Sequence, residues 1–155
     1  MTRHHRTPSA AIVFVSREGE SGTEVLLQHR NQTHMLPNIW DGVGGHVEAG
    51  ESVREAAQRE LKEEVGLDIA IEDLSFLMVT HNQISPTERY YNFFFKIDRF
   101  NGTPEILEPY KHDALQWFSL KNLPSPIITD RNLALTHWQE PLGFLELNTE
   151  SDVKK

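Results

Sequence analysis

The stretch from Gly45 to Leu67, GHVEAGESVREAAQRELKEEVGL, constrains this chain more than any other. A glycine turn leads into a segment with helical spacing. At about 100° per residue, Val53, Ala56, Ala57, Leu61 and Val65 define one apolar arc. Glu60 and Glu64 fall inside that arc and Glu63 at its edge, while Glu55, Gln58 and Lys62 supply the polar side an amphipathic helix needs. Ser52 can cap the start, with Glu55 three residues later giving a capping box, and Gly66 suits a left-handed C-terminal cap.

Glutamates at these spacings are neighbours on a helix surface. Turning like charges inward is costly unless a cation neutralises them. A hard divalent cation, Mg²⁺ or Mn²⁺, is the simplest answer, because carboxylate and carbonyl oxygens suit it and zinc prefers nitrogen and sulfur. Helix periodicity alone leaves a solvated acidic surface as the other reading.

Gly45, five residues, Glu51, seven residues and then Arg59-Glu60-Leu61-Lys62-Glu63-Glu64-Val65-Gly66-Leu67 resemble the signature of the Nudix hydrolases, with no departure at any defining position. The resemblance implies an α/β/α sandwich with a mixed β-sheet and metal-assisted hydrolysis of a nucleoside diphosphate linked to another group. It also implies a ligand set: Glu60, Glu63 and Glu64, joined by the carbonyl of Gly44, the residue before the first signature glycine. Glu60 and Glu63 are the candidate bases. Arg59 is expected to orient a neighbouring carboxylate by a charge-assisted hydrogen bond, and Glu51 to support the ligands or bind weakly.

At 155 residues the chain is expected to form one domain, residues 1–155, with flexible ends over about 1–7 and 149–155. Zero cysteines exclude disulfides and thiolate metal sites. No run approaches a membrane span and the first residues lack an apolar leader, so a soluble, cytoplasmic protein is expected, with no membrane partner. The formal net charge of -8 argues against general nucleic-acid binding. A small anionic nucleotide remains compatible, since a bound cation reverses the local field. Monomer and homodimer both stay open. The eight histidines show no ligand spacing and read mostly as surface or turn residues.

Along the chain, Ala10 to Val15 reads as a buried strand and Glu24 to His29 as a second, joined as a hairpin by a long loop over Arg17 to Gly22. Arg30 is a candidate phosphate contact or a surface arginine. The segment NQTHMLPNIWDGVGG reads as a constrained turn. Within it, Trp40 either stacks on a nucleobase or covers the edge of the core. Leu74 to Thr80 and Arg89 to Phe100 read as strands joined by a loop containing Pro86, and Leu115 to Phe118 as a short strand. The aromatic residues from Tyr91 to Ile97 line either a base pocket or the sheet core. Thr129 to Gln139 fits a closing helix capped by Thr129 or Asp130, with Asp130 and Asn132 as alternative base contacts.

Leu107 to Pro124 is similar to its counterpart in MutT-like members, which act on nucleoside triphosphates. There Glu108 and Asp113 are both candidates for a further metal-site acid. The expected activity is a nucleoside triphosphate pyrophosphatase releasing monophosphate and pyrophosphate, on oxidised or non-standard nucleotides among others. The alternatives are a nucleotide-sugar or dinucleotide pyrophosphatase and a non-catalytic nucleotide-sensing module. An intact acid set disfavours the last, and a panel of nucleotide substrates separates the other two.

Overall fold

In the computed structural model, which describes residues 3–32 and 36–148, eight strands form one mixed sheet with a helix on each face. The strands are β1 Ser9–Gly19, β2 Gly22–Arg30, β3 Trp40–Asp41, β4 Val43–His46, β5 Ser75–Ser85, β6 Glu88–Ile97, β7 His112–Ser119 and β8 Gly143–Leu147. The helices are α1 Val53–Val65 and α2 Thr129–Thr136. Strand order is β3-β2-β1-β6-β5-β8, with β4 added on β1 and β7 on β2. The β1·β6 and β5·β8 pairs are parallel and the others antiparallel. This is the expected α/β architecture.

The apolar run of β1 serves both faces because successive side chains of a strand point to opposite sides. Ala11, Val13 and Val15 join Ala56, Ala57, Leu61 and Val65 of α1 in one core. Ala10, Ile12 and Phe14 join Ala134, Leu135 and Trp138 in the other. Phe94 of β6 stacks on Phe14 in the second core, while Phe95 and Ile97 lie in the first. The aromatic residues of β6 are therefore largely core. Among the described residues no helix is long and apolar enough to cross a membrane.

Several boundaries differ from the expectation. The β1–β2 hairpin turns over Glu20 and Ser21 alone instead of a long loop, because cross-strand pairs carry the ladder through the polar residues: Arg17 Nε to Glu24 at 2.8 Å and Thr23 Oγ1 to Glu18 at 2.9 Å. Likewise β5 runs on to Ser85, and only Pro86 and Thr87 connect it to β6. The constrained turn before α1 contains β3 and β4. The strand β8 had no apolar run to announce it, and sheet pairing with Met78 to Asn82 makes it. Helix α2 stops at Thr136. Its N-cap is Ile128 with no side-chain cap bond, so neither Thr129 nor Asp130 caps it. His112 is a buried strand residue and not a surface one. The 149–155 end, Met1, Thr2 and His34 lie outside the described residues.

Candidate metal and phosphate site

Helix α1 is held at both ends as its sequence suggests. Ser52 Oγ accepts from the Glu55 N–H at 3.1 Å, and Gly66, at φ 75°, donates its N–H to the Leu61 and Lys62 carbonyls. The left-handed conformation at Gly66 is one a side chain would strain. With Ala56, Ala57, Leu61 and Val65 fixed in the core, the rotation of the helix is set and so is the aim of its glutamates. Glu64 is 4% exposed. Glu60 stands at the margin with its side chain 12% exposed, and that of Glu63 is 53% exposed.

The floor beneath them is the β4 backbone. Gly44 pairs with Ile12 and Gly45 with Ala11. A Cβ on Gly44 would meet the Ala11 carbonyl, and one on Gly45 would run into the Glu60 carboxylate. Gly45 thus lets the Glu60 carboxylate lie directly on main chain, and Gly44 lets β4 close onto β1.

Glu64 Oε1 accepts from the Gly44 N–H at 2.9 Å and from Gln28 Nε2 at 3.1 Å. His112 Nδ1 lies 3.9 Å from its other oxygen. Burial pushes the Glu64 carboxyl up to about 8; the charges of Glu60 and Asp41 add to the rise, and the bonds from Gly44 and Gln28 oppose it. Burial also raises Glu60, with Arg59 opposing.

Arg59 organises the other acids. Its Nε and Nη2 grip Glu51 at 2.7 and 3.0 Å, and its Nη1 donates to Glu60 at 2.8 Å and to Glu63 at 3.1 Å. Nη2 also reaches the His46 carbonyl at 3.0 Å. The fork on Glu51 holds that carboxyl down at about 2. Arg59 thus bonds the carboxylates of Glu51, Glu60 and Glu63 together.

Among the described residues no three acidic or histidine side chains already converge on a point where a cation would be held. The donor chemistry nevertheless fits one. A buried glutamate whose proton is retained to about pH 8, a second raised carboxyl beside it and a bare glycine backbone make a hard-oxygen set short of positive charge. Glu60 accepts from Arg59 and Glu64 from the Gly44 N–H.

The remaining expected residues fall elsewhere. Arg30, its side chain 13% exposed, donates to Asp41 Oδ2 from Nε at 3.1 Å and from Nη2 at 2.7 Å. Arg131 Nε takes Asp41 Oδ1 at 2.7 Å. Burial alone would raise Asp41, but the Arg131 and Arg30 guanidiniums hold it well below the usual carboxylate range. Trp40 packs edge-on against Phe118 and His29, with ring centroids 4.8 and 5.0 Å away, as a cover on the sheet edge. Asp130 is 0% exposed and accepts from Thr80, Asn92 and Arg131.

Of the two further acids, Asp113 pairs with His29 at 2.7 Å. Glu108 sits nearer α1: its neighbour Leu107 donates its N–H to the Glu64 carbonyl at 3.2 Å, and Lys111 and Tyr110 contact its carboxylate. Sequence reasoning missed Gln28, Asp41, His112 and Arg131. Gln28 carried a signal, being a polar residue two positions after Leu26 on the same inward face of its strand.

The family profile described as "NUDIX domain" matches residues 5–139. The chain is 33% identical over 132 residues to the NAD-capped RNA hydrolase NudC of Pseudomonas aeruginosa, covering 85% of this chain and 43% of that relative. It thus spans less than half the length of that protein. To the CTP pyrophosphohydrolase of Escherichia coli (strain K12) it is 29% identical over 106 residues, 68% of this chain and 71% of that one. The crystal structure of the MutT NUDIX hydrolase from Burkholderia pseudomallei superposes with a TM-score of 0.73 at 28% identity, covering 85% of this chain and 98% of the other.

Proposed function

The chain belongs to the Nudix family, and from that premise we propose that it hydrolyses nucleoside triphosphates between the α and β phosphates, releasing the monophosphate and pyrophosphate with Mg²⁺ or Mn²⁺ bound. The observation that carries the reading is Glu64, a buried carboxyl beside Glu60 on a side-chain-free floor. Burying such a group without a cation costs stability, so the site is built for one. Glu60, Glu64 and the Gly44 carbonyl would hold the cation, with Glu63 at the rim. A divalent ion bound there supplies charge neutralisation for the phosphates and acidifies a water.

The chain's own groups do the rest. Arg59 holds Glu60 and Glu63 from one nitrogen, Nη1, through one oxygen of each carboxylate. One of these two carboxylates takes the proton of the attacking water. Glu51 holds the other edge of Arg59 and keeps it in place. Arg30 is committed to Asp41, and its part in phosphate binding is to brace β3 and not to touch substrate.

Triphosphates are preferred to dinucleotides because the match to the CTP pyrophosphohydrolase spans most of both chains, whereas the NudC match leaves more than half of that relative without a counterpart. The NudC identity still favours a second reading, hydrolysis of a dinucleotide linkage. Product identification after incubation with triphosphates, ADP-ribose and NAD decides between them. Monophosphate and pyrophosphate from a triphosphate at the highest kcat/KM supports the first, and faster cleavage of ADP-ribose or NAD supports the second.

A further inference from the structure

The segment that leads into β7 returns to the acid cluster and is tied down from two sides. Glu105 N–H donates to the Val65 carbonyl at 3.1 Å and Leu107 N–H to the Glu64 carbonyl at 3.2 Å, so the chain runs along the last turn of α1. Glu108 to His112 then closes one turn, with the Lys111 and His112 N–H groups on the Glu108 carbonyl at 2.9 and 3.1 Å. From the other side Asn31, just past β2, donates its N–H to the Lys111 carbonyl at 3.0 Å. Its Nδ2 reaches the Pro109 and Tyr110 carbonyls at 3.2 and 2.6 Å. His112 follows, with Nδ1 3.9 Å from Glu64 Oε2. Lys111 therefore leaves a fixed backbone directly beside a residue that faces the buried acid.

The Lys111 side chain is 45% exposed, and its ammonium lies 3.5 Å from Glu108 Oε1 and 5.8 Å from the centroid of the Tyr110 ring. A pair this long and this exposed contributes little, so the ammonium leaves Glu108 at small cost. Burial would lower the ammonium, but Glu108 and then Glu64 raise it. Burial likewise raises Glu60, and Arg59 and then Lys111 oppose the rise. The charge of Lys111 is thus felt at both Glu60 and Glu64. The guanidiniums of the region are bound in shorter contacts. Arg59 bonds Glu51, Glu60, Glu63 and the His46 carbonyl, and Arg30 and Arg131 grip Asp41.

Resting on the triphosphatase reading, we propose that Lys111 contacts the phosphate chain of the substrate, as a positive charge of the protein's own beside the bound cation. A divalent ion held by Glu60 and Glu64 is already neutralised by them, so the phosphates bring in negative charge that a further cation must meet. Lysine meets phosphate as a point charge on a flexible stem and needs no fixed fork. Before substrate arrives the same ammonium repels a cation at Glu60 and Glu64. Lys111 thus acts in opposite directions on the two ligands, which a residue that only braced the loop would not do.

Lys111→Met keeps the stem and removes the charge, and Lys111→Arg keeps the charge. Calorimetry gives two affinities for each protein: Mn²⁺ alone, and inorganic tripolyphosphate at saturating Mn²⁺. Lys111→Met is expected to bind tripolyphosphate about tenfold more weakly, the equivalent of one hydrogen bond to a charged group. It is expected to bind Mn²⁺ as tightly as wild type or more tightly. Lys111→Arg is expected to stay within about threefold of wild type for both, and Lys111→Gln serves if the methionine variant does not fold. Tripolyphosphate affinity within twofold of wild type in the folded, uncharged variant overturns the proposal, as does a wild-type protein that does not bind tripolyphosphate. Weaker Mn²⁺ binding by that variant also overturns it, since Lys111 would then be a prop for the acids. Neither measurement needs turnover, which separates this inference from the functional reading. If no triphosphate is cleaved, a tenfold loss of tripolyphosphate affinity still supports the phosphate contact.

Discussion

Glu64→Gln is expected to stabilise the cation-free protein at alkaline pH while disabling it. The Glu64 carboxyl is raised from 4.5 to about 8, chiefly by burial. Below pH 4.5 both the folded and the unfolded chain hold this proton, and the group does not oppose folding. Between 4.5 and 8 the unfolded chain releases the proton and the folded chain keeps it, so stability falls as pH rises, and it levels off above 8. At about 1.4 kcal/mol per tenfold change in proton affinity, the loss has a ceiling of about 5 kcal/mol. Glutamine resembles the protonated acid: its oxygen accepts from the Gly44 N–H and Gln28 as Glu64 Oε1 does, and it never ionises. Urea denaturation in chelator between pH 5 and 9 should show wild-type stability declining relative to the variant, with the variant ahead by several kcal/mol at pH 8.5. Added Mg²⁺ or Mn²⁺ should reverse the order, since only the wild-type carboxylate gains by binding it. Parallel pH curves for the two proteins in chelator would refute the reasoning, as would a variant stabilised by cation as much as wild type.

Exhaustive chelation should abolish turnover, and Mg²⁺ or Mn²⁺ should restore it; full activity without a divalent ion, measured by chromatographic separation of monophosphate from triphosphate, would remove the metal site. Glu60→Gln and Glu63→Gln should each keep the fold by circular dichroism and lower kcat at least about a hundredfold, with the base showing the larger loss and a flattened acid limb in its pH–rate profile. Gly44→Ala should cost about 1–3 kcal/mol of stability, because its Cβ would run into the Ala11 carbonyl of the neighbouring strand; a wild-type denaturation midpoint in that variant would show that the floor has room to spare.

The helix that carries the acids could be read from sequence almost residue by residue, because its cap, its C-terminal glycine and its apolar arc agree with one another. The burial of Glu64 follows for the same reason: a wheel phase fixed by Ala56, Ala57, Leu61 and Val65 puts Glu64 on the buried arc. The hairpin turn was less legible, since Arg17, Glu18, Thr23 and Glu24 resemble a loop until their cross-strand pairs are seen. Strands β3, β4 and β8 are short and rich in glycine or mixed in polarity, and their existence depends on a neighbour's edge. The Asp41–Arg131 pair spans residues far apart in the chain and leaves no local pattern. Trp40 and Asp130 had polar or aromatic character suited to a ligand, yet packing against Phe118 and bonding to Thr80 and Asn92 already occupy them.

Strand β4 draws its ladder from β1, which is itself clamped by β6 along Ser9 to Val15 and sends side chains into both cores. The glycine floor under Glu60 and Glu64 thus hangs on the strand that opens last. Its amides should exchange with solvent only through global unfolding, and activity should vanish at the same denaturant concentration as the fold, with no earlier loss. The outer strands β3 and β8, tied only at the two ends of the sheet, are by contrast free to diverge in sequence without disturbing that floor.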